Sequence, residues 1–167
     1  HLGGFLVYNI TNKFALQPEL LYNRLGFVTK ITETEPGYFY NSKNNVSLNY
    51  LSIPVMCKFN IYDGLSLDGG PQLGILLNGE QKYVYEETYL GNRNYSEETI
   101  DAKKNFKSID FGLNLGTSYK IENNMVFSLR YYFGLSDLWK EYFDEDFILG
   151  YKNKNLQFSV GYIVYKN

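Results

Sequence analysis

The segment that most constrains the fold is residues 48–77, where two alternating runs are separated by a short turn. The first run places apolar side chains at odd positions from Leu51 to Ile61, and the second does so from Leu65 to Leu77. A period of two is typical of a β-strand with one apolar face. Asp63 and Gly64 lie between the runs and predict a tight hairpin turn, because glycine accepts the positive φ that such a turn requires.

The opposite face of this hairpin is small and polar. It is rich in glycine and serine and carries single charges such as Lys58 and Asp68. A soluble β-sandwich turns its apolar face inward and its polar face to water. The glycine-rich face instead suits the narrow inside of a small barrel, and the apolar face would then contact lipid.

The composition agrees with a single membrane domain spanning residues 1–167. The chain has 17 Tyr and 12 Phe, and aromatic residues make up 18% of it, which is consistent with girdles at two membrane interfaces. A tyrosine-rich soluble β-protein is the alternative. The net charge of −2 lacks the strong basic bias of a nucleic-acid-binding protein. No run approaches the ~20 apolar residues of a membrane helix, so any spanning must be done by closed strands.

Similar alternation predicts further strands along the chain. They are a less regular run at Leu2–Ile10 and clearer runs at Phe14–Asn23, Ser108–Tyr119, Met125–Leu135 and Leu156–Val164. Short turns alternate with long, charged connections at residues 26–46, 79–105 and 136–154, which we interpret as solvated loops. Short turns at one end and long loops at the other are typical of bacterial outer-membrane barrels.

The sequence therefore predicts an all-β fold, an antiparallel up-and-down transmembrane β-barrel in the bacterial outer membrane. About seven strands are found, whereas a closed up-and-down barrel needs an even number. We expect eight strands in the full-length protein, with the first strand and a signal peptide lying upstream of His1.

Three prolines count against the strand assignments, since Pro18, Pro54 and Pro71 each remove a ladder hydrogen bond. We expect these prolines at bulges or near the rims.

Five charges fall on the predicted inner face, each on a different strand: Glu19, Lys58, Asp68, Asp110 and Arg130. Buried charges are tolerated when they are paired and hydrogen-bonded. We therefore expect a structural network in which Lys58 and Arg130 bridge the three carboxylates, with inward glycines leaving room for the longer side chains. An ion path or a catalytic carboxylate pair is the functional alternative.

Several motifs resemble one known family. They are residues 16–22 (LQPELLY), 50–54 (YLSIP), 70–74 (GPQLG), 110–116 (DFGLNLG) and 129–135 (LRYYFGL). In order and spacing they are similar to the PorT-like outer-membrane β-barrel family of Bacteroidetes-type bacteria. The resemblance implies the barrel fold and tolerance of the three prolines, and the family's namesake is tied to a protein secretion system.

For function, we expect a non-enzymatic barrel that presents charged loops outside and acts as a structural or interaction protein. One form of this hypothesis makes it a subunit of an envelope or secretion complex. Its partners would be outer-membrane lipid and other envelope proteins, with no nucleic acid, small-molecule substrate, cofactor or metal. An outer-membrane hydrolase is one alternative, but it needs a histidine beside Ser or Asp, and the single histidine is His1. A soluble lipocalin-like barrel is the other. We interpret the run at residues 144–146 as a solvated acidic tip rather than a calcium loop.

Overall fold

Antiparallel strands account for most of the chain in a computed structural model, which describes residues 1–121, 124–139 and 152–164. The strands are β1 (Leu2–Phe5), β2 (Tyr8–Asn9), β3 (Phe14–Glu35), β4 (Tyr38–Tyr62), β5 (Leu65–Tyr89), β6 (Asn92–Asp101), β7 (Ile109–Lys120), β8 (Met125–Asp137) and β9 (Lys152–Tyr162). A 3₁₀ turn, Lys103–Asn105, follows β6. Across the described ranges, no helix is long and apolar enough to cross a bilayer.

The strands form one antiparallel sheet in the order β1-β3-β4-β5-β7-β8-β9. The short strand β2 continues β1 along β3, and both keep the same register with it. The remaining strand, β6, pairs only with β5. The predicted all-β, antiparallel up-and-down fold is thus confirmed, and β6 is an additional strand that the sequence analysis missed.

The two end strands of the sheet approach each other without sharing a backbone ladder in the part of the chain that the structure describes. The His1 ring Nε2 lies 2.7 Å from Ser159 Oγ. A Cβ placed on Gly161 would come within 2.9 Å of the Phe5 ring. Because consecutive strands alternate in direction, β1 and β9 run the same way. An eighth strand between them would be antiparallel to both, and that strand stays a prediction.

Burial follows the predicted alternation. In β3, Ala15, Gln17 and Glu19 are buried, whereas the intervening Leu16, Pro18 and Leu20 are half-buried or exposed. The same inward burial of polar residues and outward exposure of large apolar ones recurs in β4, β5, β7 and β8. The sheet is therefore apolar outside and polar inside.

Three strands continue well beyond this apolar wall. The outward side chains of β3, β4 and β5 become polar at Arg24, Asn49 and Asn78, and the strands then run on as two hairpins, β3–β4 and β5–β6. Since β6 has 10 residues, these hairpins project roughly 30 Å. We call this four-stranded extension, residues 26–47 and 79–101, the projecting sheet.

The predicted loops at residues 26–46 and 79–105 are therefore wrong. Apart from the 3₁₀ turn at Lys103–Asn105, only their centres turn, at Pro36-Gly37 and Leu90-Gly91, where Gly37 and Gly91 have φ values of 79° and 86°. The flanking residues pair regularly, for example Thr29 with Asn44. Both faces of these strands mix polar with apolar residues, for example Val28 on one side of β3 and Ile31 on the other, so hydrophobic alternation could not reveal them. Residues 140–151 of the third predicted loop, including the acidic tip at 144–146, lie outside the described residues. Residues 122–123, which are part of a predicted turn, also lie outside them.

The expectation that the prolines lie at bulges or rims is also wrong. Pro18 pairs with Val55 and Pro54 with Gln72, inside strands whose register is the same on both sides of each proline. The structural effect of a proline is instead the loss of ladder pairs beside it. Between β3 and β4, the pairs at Glu19 and Leu20, next to Pro54, are missing. A proline lacks an N–H toward only one of its two neighbouring strands, and its carbonyl oxygen can still accept a hydrogen bond. Pro18 O, for example, accepts one from Leu6 N–H at 3.0 Å.

A protease test separates strands from loops in the projecting sheet. Proteinase K added to intact cells is expected to cleave at the Leu90-Gly91 turn and to spare residues 80–87, because ladder hydrogen bonds hold that segment extended on both sides. Mass spectrometry of the fragments locates the cuts. Cleavage spread evenly over 79–105 would restore the interpretation of this segment as a loop.

Candidate functional site: the packed lumen and the projecting sheet

Two buried ion pairs lie inside the sheet. Lys58 Nζ is 3.2 Å from Asp68 Oδ2 on the neighbouring strand, and Lys58 also donates to Ser118 Oγ. Arg130 Nη1 lies 2.8 Å from Glu19, and the two side chains are only 7% and 4% exposed. The structure therefore places these four predicted residues in the lumen, each opposite a partner of opposite charge.

The Arg130–Glu19 pair connects β8 to β3, which share no backbone ladder. Gln17 Nε2 donates a second hydrogen bond of 2.6 Å to Glu19. Gly116 faces Arg130, and a Cβ there would lie 2.2 Å from Leu129 O and 2.8 Å from Arg130 Cγ. Glycine at this position therefore leaves room for the arginine side chain, as expected from the sequence.

Asp110 is held differently from the prediction. We expected a basic residue to bridge it, but neutral donors surround its carboxylate: Tyr132 OH at 3.0 Å, Ser136 Oγ at 2.7 Å and Asn153 Nδ2 at 2.8 Å. Hydrogen bonds to an ionised acceptor stabilise a buried carboxylate without a counter-charge. Among the described residues, the lumen thus holds two separate ion pairs and one hydrogen-bonded carboxylate rather than a single network.

An apolar cluster fills the end of the lumen nearest the projecting sheet. Its members are Val46, Leu48, Tyr50, Leu76, Ala102, Phe106 and Leu138. Ala102 and Phe106 are 0% exposed and flank the 3₁₀ turn, and the Phe106 ring packs 4.5 Å from that of Trp139. The sequence analysis missed this cluster; the signal was an apolar pair four residues apart inside an otherwise charged segment.

The opposite end of the lumen, near the short turns, is an open funnel. It has a volume of about 630 Å³ and is lined by polar groups that include Lys58, Ser66, Ser118 and Lys120. Deeper in the lumen, Tyr132, Met56 and Asn114 are at most 1% exposed. The lumen is thus solvated at one end and packed with side chains above.

His1 and Ser159 are residue types that can act as a catalytic base and its nucleophile. His1 and Ser159 are within hydrogen-bond distance, and both face the lumen side of the seam between β1 and β9. In the described part of the chain, no carboxylate hydrogen-bonds the His1 ring. A catalytic triad uses that third group to orient the imidazole.

The two faces of the projecting sheet differ in charge. On the face that continues the outer wall, acids and bases are paired: Lys82 Nζ lies 2.5 Å from Glu97 and Arg93 Nη2 lies 2.7 Å from Glu86. Hydrogen bonds from Lys82 and then Tyr95 hold the pKa of the Glu97 carboxyl below its usual value. The other face continues the lumen side and carries most of the tyrosines of these strands.

A family model described as outer membrane protein beta-barrel domain matches residues 1–140. Neither a curated protein nor a solved structure matches the chain.

Removing one partner of the deepest ion pair tests the role of the lumen. Arg130→Ala leaves Glu19 buried without a counter-charge and is expected to lower the free energy of unfolding by about 3–5 kcal/mol. Urea unfolding in detergent micelles, followed by the loss of heat-modifiable mobility on gels, measures the change.

Two further variants control this experiment. Lys82→Ala removes an exposed pair and should cost less than about 1 kcal/mol. Glu19→Gln combined with Arg130→Met removes both charges and should recover much of the stability that Arg130→Ala loses. Equal effects of Arg130→Ala and Lys82→Ala would contradict the structural role of the buried pair.

Proposed function

The chain belongs to the outer membrane protein β-barrel family and lies in the bacterial outer membrane, and from this premise we propose that it is a non-enzymatic interaction protein that binds a partner outside the cell through the projecting sheet. The orientation in this proposal follows the family rule that long connections face outside and short turns face the periplasm. The funnel then opens to the periplasm, and the apolar cluster closes the outer end of the lumen.

The observation that carries the proposal is the continuity of the projecting sheet with the barrel wall. Beyond the gaps beside the prolines, β3, β4 and β5 run from the apolar wall into the projecting sheet with one irregularity in their pairing, the bulge between Asn49 and Tyr50. The hairpin tips are linked as well, since Leu90 N–H donates to Gly37 O at 2.9 Å. Sites on strands are held more firmly than sites on loops, and such a rigid platform favours recognition.

The lumen supports a non-enzymatic, non-conducting role within this proposal. Each of its predicted charges is engaged by a neighbour, which suits a packed structural core. The alternative of a hydrolase draws support from the His1–Ser159 pair, although the ring lacks a carboxylate partner in the described residues. If hydrolysis were the function, Ser159→Ala would abolish it and a serine-reactive phosphonate would label Ser159.

The finer family assignment is part of the proposal. We propose a PorT-like protein of a Bacteroidetes-type bacterium that serves as a subunit of an envelope or secretion complex, on the basis of motifs such as residues 110–116 and 129–135. The soluble lipocalin-like alternative is wrong, because the chain is an outer-membrane barrel and its apolar residues face outward.

Shortening both hairpins tests the proposed function. Thr29 pairs with Asn44 and Tyr83 pairs with Glu98, and both pairs are of the hydrogen-bonded type that closes a two-residue turn. Residues 30–43 and 84–97 can therefore each be replaced by an Asn-Gly turn without changing the register. The trimmed barrel is expected to keep its heat-modifiable fold and to lose the stoichiometric partners that accompany the full-length protein from native outer membranes in mild detergent.

Quantitative mass spectrometry of the two purified samples gives the readout. A variant at a short periplasmic turn, Asp63→Asn, is the control and should keep the partners. Recovery of the same partners with the trimmed barrel would contradict binding through the projecting sheet, and a full-length protein that purifies alone would contradict a stable complex.

A further inference from the structure

The lumen-side face of the projecting sheet is rich in tyrosine. We call it the inner face; the register of the β3–β4, β4–β5 and β5–β6 pairs puts five tyrosines on it: Tyr38, Tyr40, Tyr83, Tyr85 and Tyr89. Tyr85 and Tyr89 are 36% and 59% exposed. The rings of Tyr83 and Tyr85 are parallel within 6°, with centroids 6.0 Å apart. Tyr85 and Tyr89 therefore expose aromatic surface on this face that a ligand can contact.

The charges on the inner face have one sign. The same register gives it four acids, Glu33, Glu35, Glu87 and Glu98, and none of its positions on β3 to β6 holds Lys or Arg. Lys103 and Lys104 belong to the 3₁₀ turn beside Gly79, at the foot of the sheet. Partial desolvation and then the carboxylates of Glu87 and Glu33 raise the pKa of the Tyr38 hydroxyl, which agrees with an uncompensated negative field.

The outer face has the same number of acids as the inner face, but it also carries basic residues that balance their charge. Its acids are Glu80, Glu86, Glu97 and Asp101, and its bases are Lys30, Lys43, Lys82 and Arg93. Both observed ion pairs of the projecting sheet lie on this face. The two faces therefore carry equal numbers of acids, and they differ because the inner face lacks basic residues to balance them.

We propose that the inner face binds a Lys- and Arg-rich polypeptide segment of a partner protein, through its four carboxylates and its tyrosine rings. This inference rests on the proposed function and names the chemistry of the partner. Arginine and lysine pair with carboxylates and also stack on or sit over aromatic rings, so one side chain can use both features of the face.

The dimensions of the inner face fit a segment rather than a folded domain. Four strands spaced about 4.8 Å apart give a width near 15 Å, and the length is roughly 30 Å. The resulting area of about 450 Å² is well below the about 800 Å² per partner of a standard interface between folded proteins.

A glycan is the competing ligand, because sugars also stack on tyrosine. A neutral glycan would desolvate four carboxylates without supplying a compensating charge, which is unfavourable. An anionic lipopolysaccharide would be repelled. The charge of the inner face therefore favours a cationic segment.

A direct binding experiment tests this inference on the full chain in phosphatidylcholine nanodiscs. The probe is a fluorescent oligo-arginine peptide, and its anisotropy reports the affinity. The inner-face variant Glu33→Gln/Glu35→Gln/Glu87→Gln/Glu98→Gln is expected to bind about tenfold more weakly, since four screened charge contacts are lost. The matched outer-face variant Glu80→Gln/Glu86→Gln/Glu97→Gln/Asp101→Asn changes the net charge equally and should stay within about twofold.

A second variant tests the aromatic contribution. Tyr40→Ala/Tyr85→Ala is expected to weaken oligo-arginine binding several-fold at high salt, where the carboxylates are screened. Both residues lie on strands that the remaining ladder holds, and heat-modifiable mobility checks that the barrel is folded.

Four results would overturn the inference. Equal losses in the inner-face and outer-face variants would show a response to net charge alone. Binding of a neutral malto-oligosaccharide that depends on Tyr40 and Tyr85, without oligo-arginine binding, would identify a glycan site. A change of oligomeric state in the inner-face variant would identify a second copy as the occupant. If hairpin trimming removes native partners while the inner-face variant keeps them, this inference fails and the proposed function stands.

Discussion

The Arg130–Glu19 ion pair is the buried contact that joins strands near the two ends of this sheet across its interior. Backbone ladders join the strands of the sheet in the order β1-β3-β4-β5-β7-β8-β9, but no described ladder joins the two ends. Arg130 on β8 and Glu19 on β3 lie one strand in from each end, so their 2.8 Å contact ties the ends together across the lumen. The contacts of His1 with Ser159 and of Phe5 with Gly161 act at the seam itself.

The positions of the three prolines in the wall are related to one another. Pro18, Pro54 and Pro71 lie on three neighbouring strands, and each interrupts the ladder toward the preceding strand. The interruptions form a diagonal across one side of the barrel. Gly70 lies on the same diagonal, where a Cβ would come within 2.0 Å of Val55 O, so the strands approach closely beside a missing ladder bond. Close packing there offsets part of the loss.

The membrane part of the fold could be predicted from the sequence, whereas the projecting sheet could not, and the reason is physical. Between lipid and a narrow lumen, the two sides of a strand differ strongly, so residues such as Leu73 and Gln72 reveal the period of two. Beyond the membrane both sides face water or polar neighbours, and a strand such as Asn92–Asp101 resembles a loop in composition. Likewise, alternation predicted that Glu19 and Arg130 face the lumen. It could not predict the neutral hydrogen-bond donors around Asp110, because one of them, Asn153, is distant in sequence and no pattern links it to Asp110.

A single extra residue determines which side chains the projecting sheet presents on each face. Asn49 pairs with Asn78 and Tyr50 with Leu76, so Leu77 is a bulge that shifts the phase of β5 by one. Below the bulge the even residues of β5 face the lumen, and above it the odd ones do, as the burial of Gln72 and Gln81 shows. Without this shift, Tyr83, Tyr85 and Glu87 would point to the outer face and Lys82 and Glu86 to the inner one. The bulge is therefore the structural cause of the charge segregation, and it follows that the segregation depends on register as well as on composition.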